Sequence, residues 1–245
     1  MRTKHYLLML ALVILTLPAS SQMVEILNRN NIKINASSLA FKNISLQYER
    51  SITKRLSAGL GFRVGPKGTV PLQTVLSNVF DENDFDLTKL EIGNTAITPE
   101  LRIYLGRGRN RGFYLAPYGR YAHFTMTLPI NYNYNGQPKQ AFFDGHVNSI
   151  SGGLMVGMQY TIARIVVLDI WLIGGHYGSS KGDAVFTPSS PLSPQEQQAL
   201  QNELNGINVK PFTFTSTVNA NGGTLQTTGP WAGFRGGGIN VGIRF

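Results

Sequence analysis

With 245 residues and no cysteine, the chain has no disulfide, no zinc–thiolate site and no thiol nucleophile to draw on. Only 14% of its residues are charged, against about 25% in an average soluble domain, while 27 are glycine and ten are tyrosine. That balance disfavours a helical enzyme and suits a closed sheet with tight corners and aromatic girdles. The net charge of +9 would suit a nucleic-acid partner, but the N-terminus argues against one.

Arg2 and Lys4 precede an apolar run, Tyr6 to Leu17, that Pro18 ends; Ala19 and Ser21 then offer a small-residue cleavage site before Gln22. Basic, apolar and small residues in this order make a secretory signal peptide. The run is shorter than the roughly 17–25 residues of a membrane-spanning helix. A buried N-terminal helix is the alternative reading. No cysteine follows, which excludes a lipoprotein anchor. The expected division is a signal peptide over 1–21 and one barrel domain over 22–245, carrying +7 once Arg2 and Lys4 are removed. An exported chain of this size without disulfides needs its own core or a lipid environment.

Beyond residue 22 no stretch is long and apolar enough to cross a membrane as a helix, and period-two alternation takes over. In 31–39, Ile32 and Ile34 alternate with Lys33 and Asn35; in 43–50, Ile44, Leu46 and Tyr48 alternate with Ser45, Gln47 and Glu49. In 55–64 the apolar series is Leu56, Ala58, Leu60, Phe62 and Val64, and in 95–105 it is Ile97, Leu101, Ile103 and Leu105. Residues 112–127 are aromatic-rich, with Leu115, Pro117, Gly119 and Tyr121 favoured on one face and Tyr114, Tyr118 and Arg120 on the other. In 147–161, Ile150, Leu154, Val156, Met158 and Tyr160 oppose Ser149, Ser151, Gly153 and Gln159. Val166, Leu168, Ile170 and Leu172 oppose Val167, Asp169 and Trp171 in 164–176, and Ile239, Val241, Ile243 and Phe245 close the series in 231–245. The expected fold is therefore all-β: an eight-stranded antiparallel up-and-down transmembrane β-barrel, eight being the smallest common strand number for one.

Connections sort by parity. "SITK", "GRGRNRG" and "IAR" are short, whereas 65–94, 128–146 and 177–230 are long; only the first connection, near Phe41 to Asn43, breaks the alternation. Three long loops at one end and three tight turns with both termini at the other is the asymmetry of outer-membrane barrels, with long loops extracellular and termini periplasmic. Within the last long loop, Ser193, Pro194, Glu196 and Gly206 spell a capped helix, whose Leu200 and Leu204 share a face suited to the barrel rim. Residues 71–80 read as another helical turn.

The face opposite the apolar one decides where it points. Were it a solvent exterior, it would be rich in Lys and Glu; instead it holds Ser, Gly, Asn, Gln and a few charges of mixed sign, which suits the cramped interior of an eight-stranded barrel. Buried charges must pair, so the expected lumen network sets Arg63, Arg102 and Arg120 against Glu49, Glu100 and Asp169; placement of some at the rims is the alternative. The bulk of Arg102, Tyr104, Tyr118 and Trp171 would block a pore.

The last strand, with Val241, Ile243 and Phe245, resembles the C-terminal signature that the barrel assembly machinery recognises. The stretches "NNIKINASSLAFKNISLQYERSITKRLSAGLGFR", "ITPELRIYLG", "GFYLAPYGRY" and "GGINVGIRF" resemble a family of small outer-membrane barrels of Bacteroidota known mainly as a domain of unknown function, with OmpA/OmpX-like eight-stranded architecture. The resemblance covers about residues 31–245 and implies a fold and a location, with outer-membrane lipid and the assembly machinery as partners. It implies no activity.

Some small outer-membrane barrels modify lipid with a rim His beside Ser or a carboxylate. His123, His146 and His176, near Ser149, Ser179, Ser180 and Asp183, are the candidates here; rim histidines in a polar belt are the alternative. "DENDFD" (81–86) lacks the spacing and glycine of a calcium loop, and "GLGFRVG" lies within a strand instead of opening a helix, so it signals close packing and not nucleotide binding. "GRGRNRG" could meet phosphate, and in a short turn at a membrane surface its partner is a lipid headgroup or water. No catalytic residue, cofactor or metal is expected. The leading expectation is a structural protein, or one that binds through its loops; a lipid- or lipopolysaccharide-modifying enzyme and a soluble lipocalin-like carrier are the alternatives.

Overall fold

Period-two alternation produces strands that curl until the last meets the first. A computed structural model describes residues 29–69, 89–107, 109–134 and 136–245; the signal peptide, the 71–80 turn and the acidic 81–86 stretch lie outside them. In chain order the elements are β1 (Asn30–Asn35), α1 (Ala36–Ala40), β2 (Ile44–Ser51), β3 (Leu56–Thr69), β4 (Glu91–Tyr104), β5 (Gly112–Tyr134), β6 (Gln137–Ile162), β7 (Val166–Pro188), α2 (Pro194–Gly206), β8 (Thr213–Asn219) and β9 (Gly222–Arg244). Every pairing is antiparallel, and β1 through β7 follow one another around the wall. β9 then pairs with both β7 and β1, from Asn31↔Arg244 to Asn35↔Asn240, and closes an eight-stranded ring. β8 stands outside the ring as a hairpin partner of upper β9.

The side chains are arranged inside out relative to a water-soluble domain. Lys33, Glu49, Arg102 and Asp169 point inward and are each 0% exposed, while Ile150 and Leu154 point outward and are 65% and 56% exposed. The face assignment for 112–127 matches, with Tyr114, Ala116 and Tyr118 inside and Leu115 and Tyr121 outside. Glycines make room for large lumen side chains: a Cβ on Gly157 would lie 2.3 Å from Tyr114 Oη, and one on Gly242 would lie 2.7 Å from Lys33 Cγ.

Four expectations need correction. Residues 36–39 are not strand, because Asn35 caps a helical turn by accepting from Ser38 N–H at 2.7 Å. Leu172 interrupts the alternation of 164–176 as a bulge between the Trp171 and Ile173 pairings, which leaves both Leu172 and Ile173 outside and turns His176 inward. The segments 128–146 and 177–230 are largely strand. β6 has 26 residues, roughly 85 Å of path at about 3.3 Å per residue, whereas about 9–11 residues suffice to cross a bilayer. Where both faces meet water the apolar alternation fades, but Thr, Val, Phe and Tyr keep pairing. Finally, α2 packs on the β8–β9 hairpin and not on the rim, with Leu200 against Gly223.

The α2 capping box forms as spelled, with Ser193 Oγ accepting from Glu196 N–H and Glu196 Oε2 accepting from Ser193 N–H. The other carboxylate oxygen takes the Lys139 ammonium of β6, tying helix to hairpin. That ammonium, with the Ser193 N–H, holds the Glu196 carboxyl down from 4.5 to about 2. The tie therefore contributes fully above about pH 4.5 and is lost as pH falls through about 2. Pepsin should cut 190–212 readily at pH 2 and slowly at pH 4, and Lys139→Met should be cut at both. At the opposite end, Ala163 and Arg164 occupy positive-φ positions (49° and 67°) in the three-residue connection between β6 and β7, a left-handed conformation that Asn and Gly adopt at lower cost. Replacing Ala163 with Asn and Arg164 with Gly should stabilise the protein by about 1 kcal/mol in urea unfolding in micelles.

Candidate functional site

The lumen has two levels. The lower is an ionic network in which every charge has several partners. Lys33 Nζ meets Glu49 Oε2 (2.8 Å), Asp169 Oδ2 (2.7 Å) and Gln159 Oε1 (2.9 Å). Arg102 reaches Asp169 Oδ2 through Nη1 (2.7 Å), Glu100 Oε1 through Nε (2.5 Å) and Gln47 Oε1 through Nη2 (3.0 Å), and lies 4.3 Å above the Tyr114 ring centroid. Tyr104 and Ser57 hydroxyls both donate to Glu49 Oε1 at 2.6 Å, Asn31 and Asn110 amides add further bonds to Glu49, and Tyr114 donates to Asp169 Oδ1 at 2.7 Å. Arg235 Nη1 completes the set against Glu100 Oε2 at 3.3 Å. Lys33, Arg102 and Arg235 thus balance Glu49, Glu100 and Asp169.

Four of the six residues expected in a lumen network meet here: Glu49, Glu100, Arg102 and Asp169. Arg63 and Arg120 face the lumen but not the acids. Glu49, Gly59 and Glu100 are neighbours across three strands, and Arg63 and Arg120 lie further toward the hairpin end of β3 and β5. Alternation fixes which face a residue takes; the level it occupies depends on strand stagger, which alternation does not carry. Lys33 went unnoticed for the same reason, since only closure of β1 on β9 brings it to Asp169. Its clue was a lysine between two isoleucines on a strand otherwise fit for lipid. Arg235 falls within the expected last strand, 231–245, but ahead of the apolar series that begins at Ile239, where no alternation assigns its face.

The upper level is basic and aromatic. Arg63, Arg120 and Arg235 repel one another across it. Arg120 donates to Thr98 Oγ1 at 3.2 Å, and the Arg235 guanidinium stacks 3.9 Å from the Trp171 ring centroid. His176 contacts Tyr118 Oη at 3.2 Å.

The three histidines separate. His176 is in the lumen, whereas His123 and His146 sit on the outer face above the apolar band. His123 Nδ1 lies 2.8 Å from Asn148 Oδ1, and His146 Nε2 lies 3.3 Å from Asp183 Oδ2. Ser149 and Ser180 instead donate to the backbone carbonyls of Ala122 and Gly229, so among the described residues no serine hydroxyl is bonded to these rings. With Tyr121 and Tyr177 exposed just below, the arrangement is a polar and aromatic belt. Among the described residues no group of His and acidic side chains is arranged to hold a metal. Val241, Ile243 and Phe245 all face outward, and Phe245 exchanges backbone hydrogen bonds with Asn30 at 2.9 and 3.0 Å.

These features define an up-and-down β-barrel with an ionic interior and an apolar exterior. The chain belongs to the family described as protein of unknown function DUF3575, whose model matches residues 7–198. No protein with a curated description matches it. It is similar to the crystal structure of Acinetobacter baumannii CarO at 11% identity and a TM-score of 0.40, over 89% of this chain and 97% of that one. It is also similar to the N-terminal β-barrel domain of Pseudomonas aeruginosa OprF at 10% identity and a TM-score of 0.29, over 89% and 98%.

The two levels should respond differently to loss of an arginine. Arg102→Met takes one buried cation from both Glu100 and Asp169, leaving Glu100 with Arg235 and Asp169 with Lys33, and should cost about 3–5 kcal/mol, while Arg63→Met relieves repulsion and should be neutral or stabilising. Urea unfolding of both variants in one detergent tests this, and equal losses would contradict the division.

Proposed function

We propose that this protein is an integral outer-membrane β-barrel whose polar lumen is plugged by the lower ionic network, and that it works structurally or by binding through the tall hairpins on its extracellular side. The observation that carries the reading is the inversion of polarity. A continuous outward band including Leu46, Leu60, Leu101, Leu154 and Ile243 is far larger than the apolar patches soluble monomers expose, and the sealed charges opposite it have no need of water. No described helix is long and apolar enough to cross a membrane, so crossing falls to the strands. The belt of Tyr121, Tyr177, His123 and His146 suits the outer interface. Signal-peptide export, periplasmic termini and extracellular hairpins belong to the same reading.

The His–Asp contact of the belt is solvent-exposed, and among the described residues no serine or threonine hydroxyl is hydrogen-bonded to His146, which favours binding over lipid modification. Mass spectra of lipid A from wild-type and deletion strains should be the same; a lost modification would revive the enzyme. Fractionation should recover the protein in the outer membrane, and recovery in the soluble periplasm would overturn the proposal. Leu154→Arg places a charge in mid-band and should cost about 2–4 kcal/mol of folding free energy in lipid vesicles. An unaffected variant would show that Leu154 does not meet lipid.

A further inference from the structure

The barrel wall is notched. β9 pairs with β7 along most of its length, but its other edge is covered by β8 only up to Thr228 and by β1 only from Asn240. Between them, no strand among the described residues lies beside that edge over 229–239. β1 gives way there to α1, whose Ser37 Oγ accepts from Ile239 N–H at 2.9 Å. On the far side of the notch β3 also outruns its neighbour: β2 pairs no further than Val64, and from Gly65 to Thr69 β4 is its one strand partner among the described residues.

Behind this gap lies the upper lumen, a cavity of about 440 Å³ bounded by Arg63, Arg120, Arg235, His176, Trp171 and Trp231. Its charge is unbalanced. Arg235 shares Glu100 with the lower network, and Arg63 and Arg120 have no carboxylate partner among the described residues. Buried donors end unpaired in the same wall: Arg63 Nε, Arg235 Nε and the Trp171 indole N–H, although Trp171 is almost wholly buried. Buried polar groups ordinarily find partners, and guanidinium groups match phosphate and carboxylate oxygens through paired hydrogen bonds. Apolar side chains flank the opening. Phe234 of β9 is 90% exposed, and Phe41 at the end of α1 is half exposed.

We propose that the upper chamber binds the acidic headgroup, phosphate or carboxylate, of an amphiphile that enters sideways through the notch. Arg63, Arg120 and Arg235 take the headgroup, and Phe41, Phe234 and Trp231 line the path of the apolar tail. The notch opens on the apolar exterior, so the site rests on the outer-membrane reading and gives it a substrate class.

Trp171 and Trp231 are the chain's two tryptophans, and both line the chamber, so intrinsic tryptophan emission reports on it directly. Full-length protein taken from membranes into phosphatidylcholine nanodiscs is titrated with dodecyl phosphate, inorganic phosphate and dodecanol. Dodecyl phosphate should give a saturable change, inorganic phosphate should bind roughly tenfold or more weakly, and dodecanol should give no saturable change. R63Q/R120Q should weaken dodecyl phosphate binding by roughly tenfold or more, with R63Q and R120Q singly giving smaller losses if the double variant fails to fold. Undiminished binding in the variants, no response to dodecyl phosphate, or an equal response to dodecanol would overturn the site. Equal affinity for inorganic phosphate would overturn the amphiphile and assign a soluble anion. Membrane insertion is scored separately by fractionation, so a failed chamber in an inserted barrel leaves the outer-membrane reading standing.

Discussion

Everything in this structure depends on charges sealed inside a closed ring. Among the described residues the buried apolar cluster is small, consisting of Tyr104, Tyr114, Ala116, Tyr118, Met155 and Trp171, and most large aliphatic side chains point out. What joins distant strands across the lumen is ionic. Arg102 on β4 reaches β2, β6 and β7, and Lys33 on β1 reaches β2, β6 and β7. A network of this kind need not add net stability over an apolar filling. It does penalise register errors, because one slipped residue would turn Lys33 or Asp169 outward and leave its partners unpaired.

The same ring explains the division of labour along the barrel. Near the tight turns the strands are equal, the wall is complete and positive and negative side chains match. Higher up, β1 and β2 stop while β5, β6, β7 and β9 continue, so the wall becomes tall on one side and open on the other. Lys33, Arg102 and their acids sit where the wall is whole, Arg63 and Arg120 sit without a carboxylate partner higher up, and Arg235, on the open edge, joins the two levels through Glu100. The proposed binding chamber is thus set above the ionic network within one lumen.

Faces were legible in the sequence where one side of a strand meets an apolar surround and the other a packed interior. Ile150, Leu154 and Val156 against Ser149, Ser151 and Gln159 is an example, and the α2 capping box was legible from Ser193, Pro194 and Glu196 alone. Height was not legible, since stagger is a property of strand pairs; this is why Arg63 and Arg120 were grouped with acids they do not touch, and why Lys33 was missed. The upper strands were hidden because water on both sides removes the alternation. A local signal survived there in Asn135-Gly136, the favoured dipeptide of a two-residue hairpin, which separates the Tyr134↔Gln137 pair of β5 and β6. The notch follows from the lengths of β1 and β2, set by the Asn35 cap that turns the chain into α1.

The central claim is that the apolar face meets lipid and the charged face meets itself. Because the natural chain has no cysteine, single cysteines along β6 from 149 to 160 can each carry a nitroxide in a reconstituted bilayer. Collision with oxygen against a water-soluble nickel chelate should alternate, with labels at Ile150, Leu154, Val156 and Tyr160 open to lipid and those at Ser149, Ser151, Met155 and Gln159 shielded. The opposite phase, or no alternation, would contradict the account.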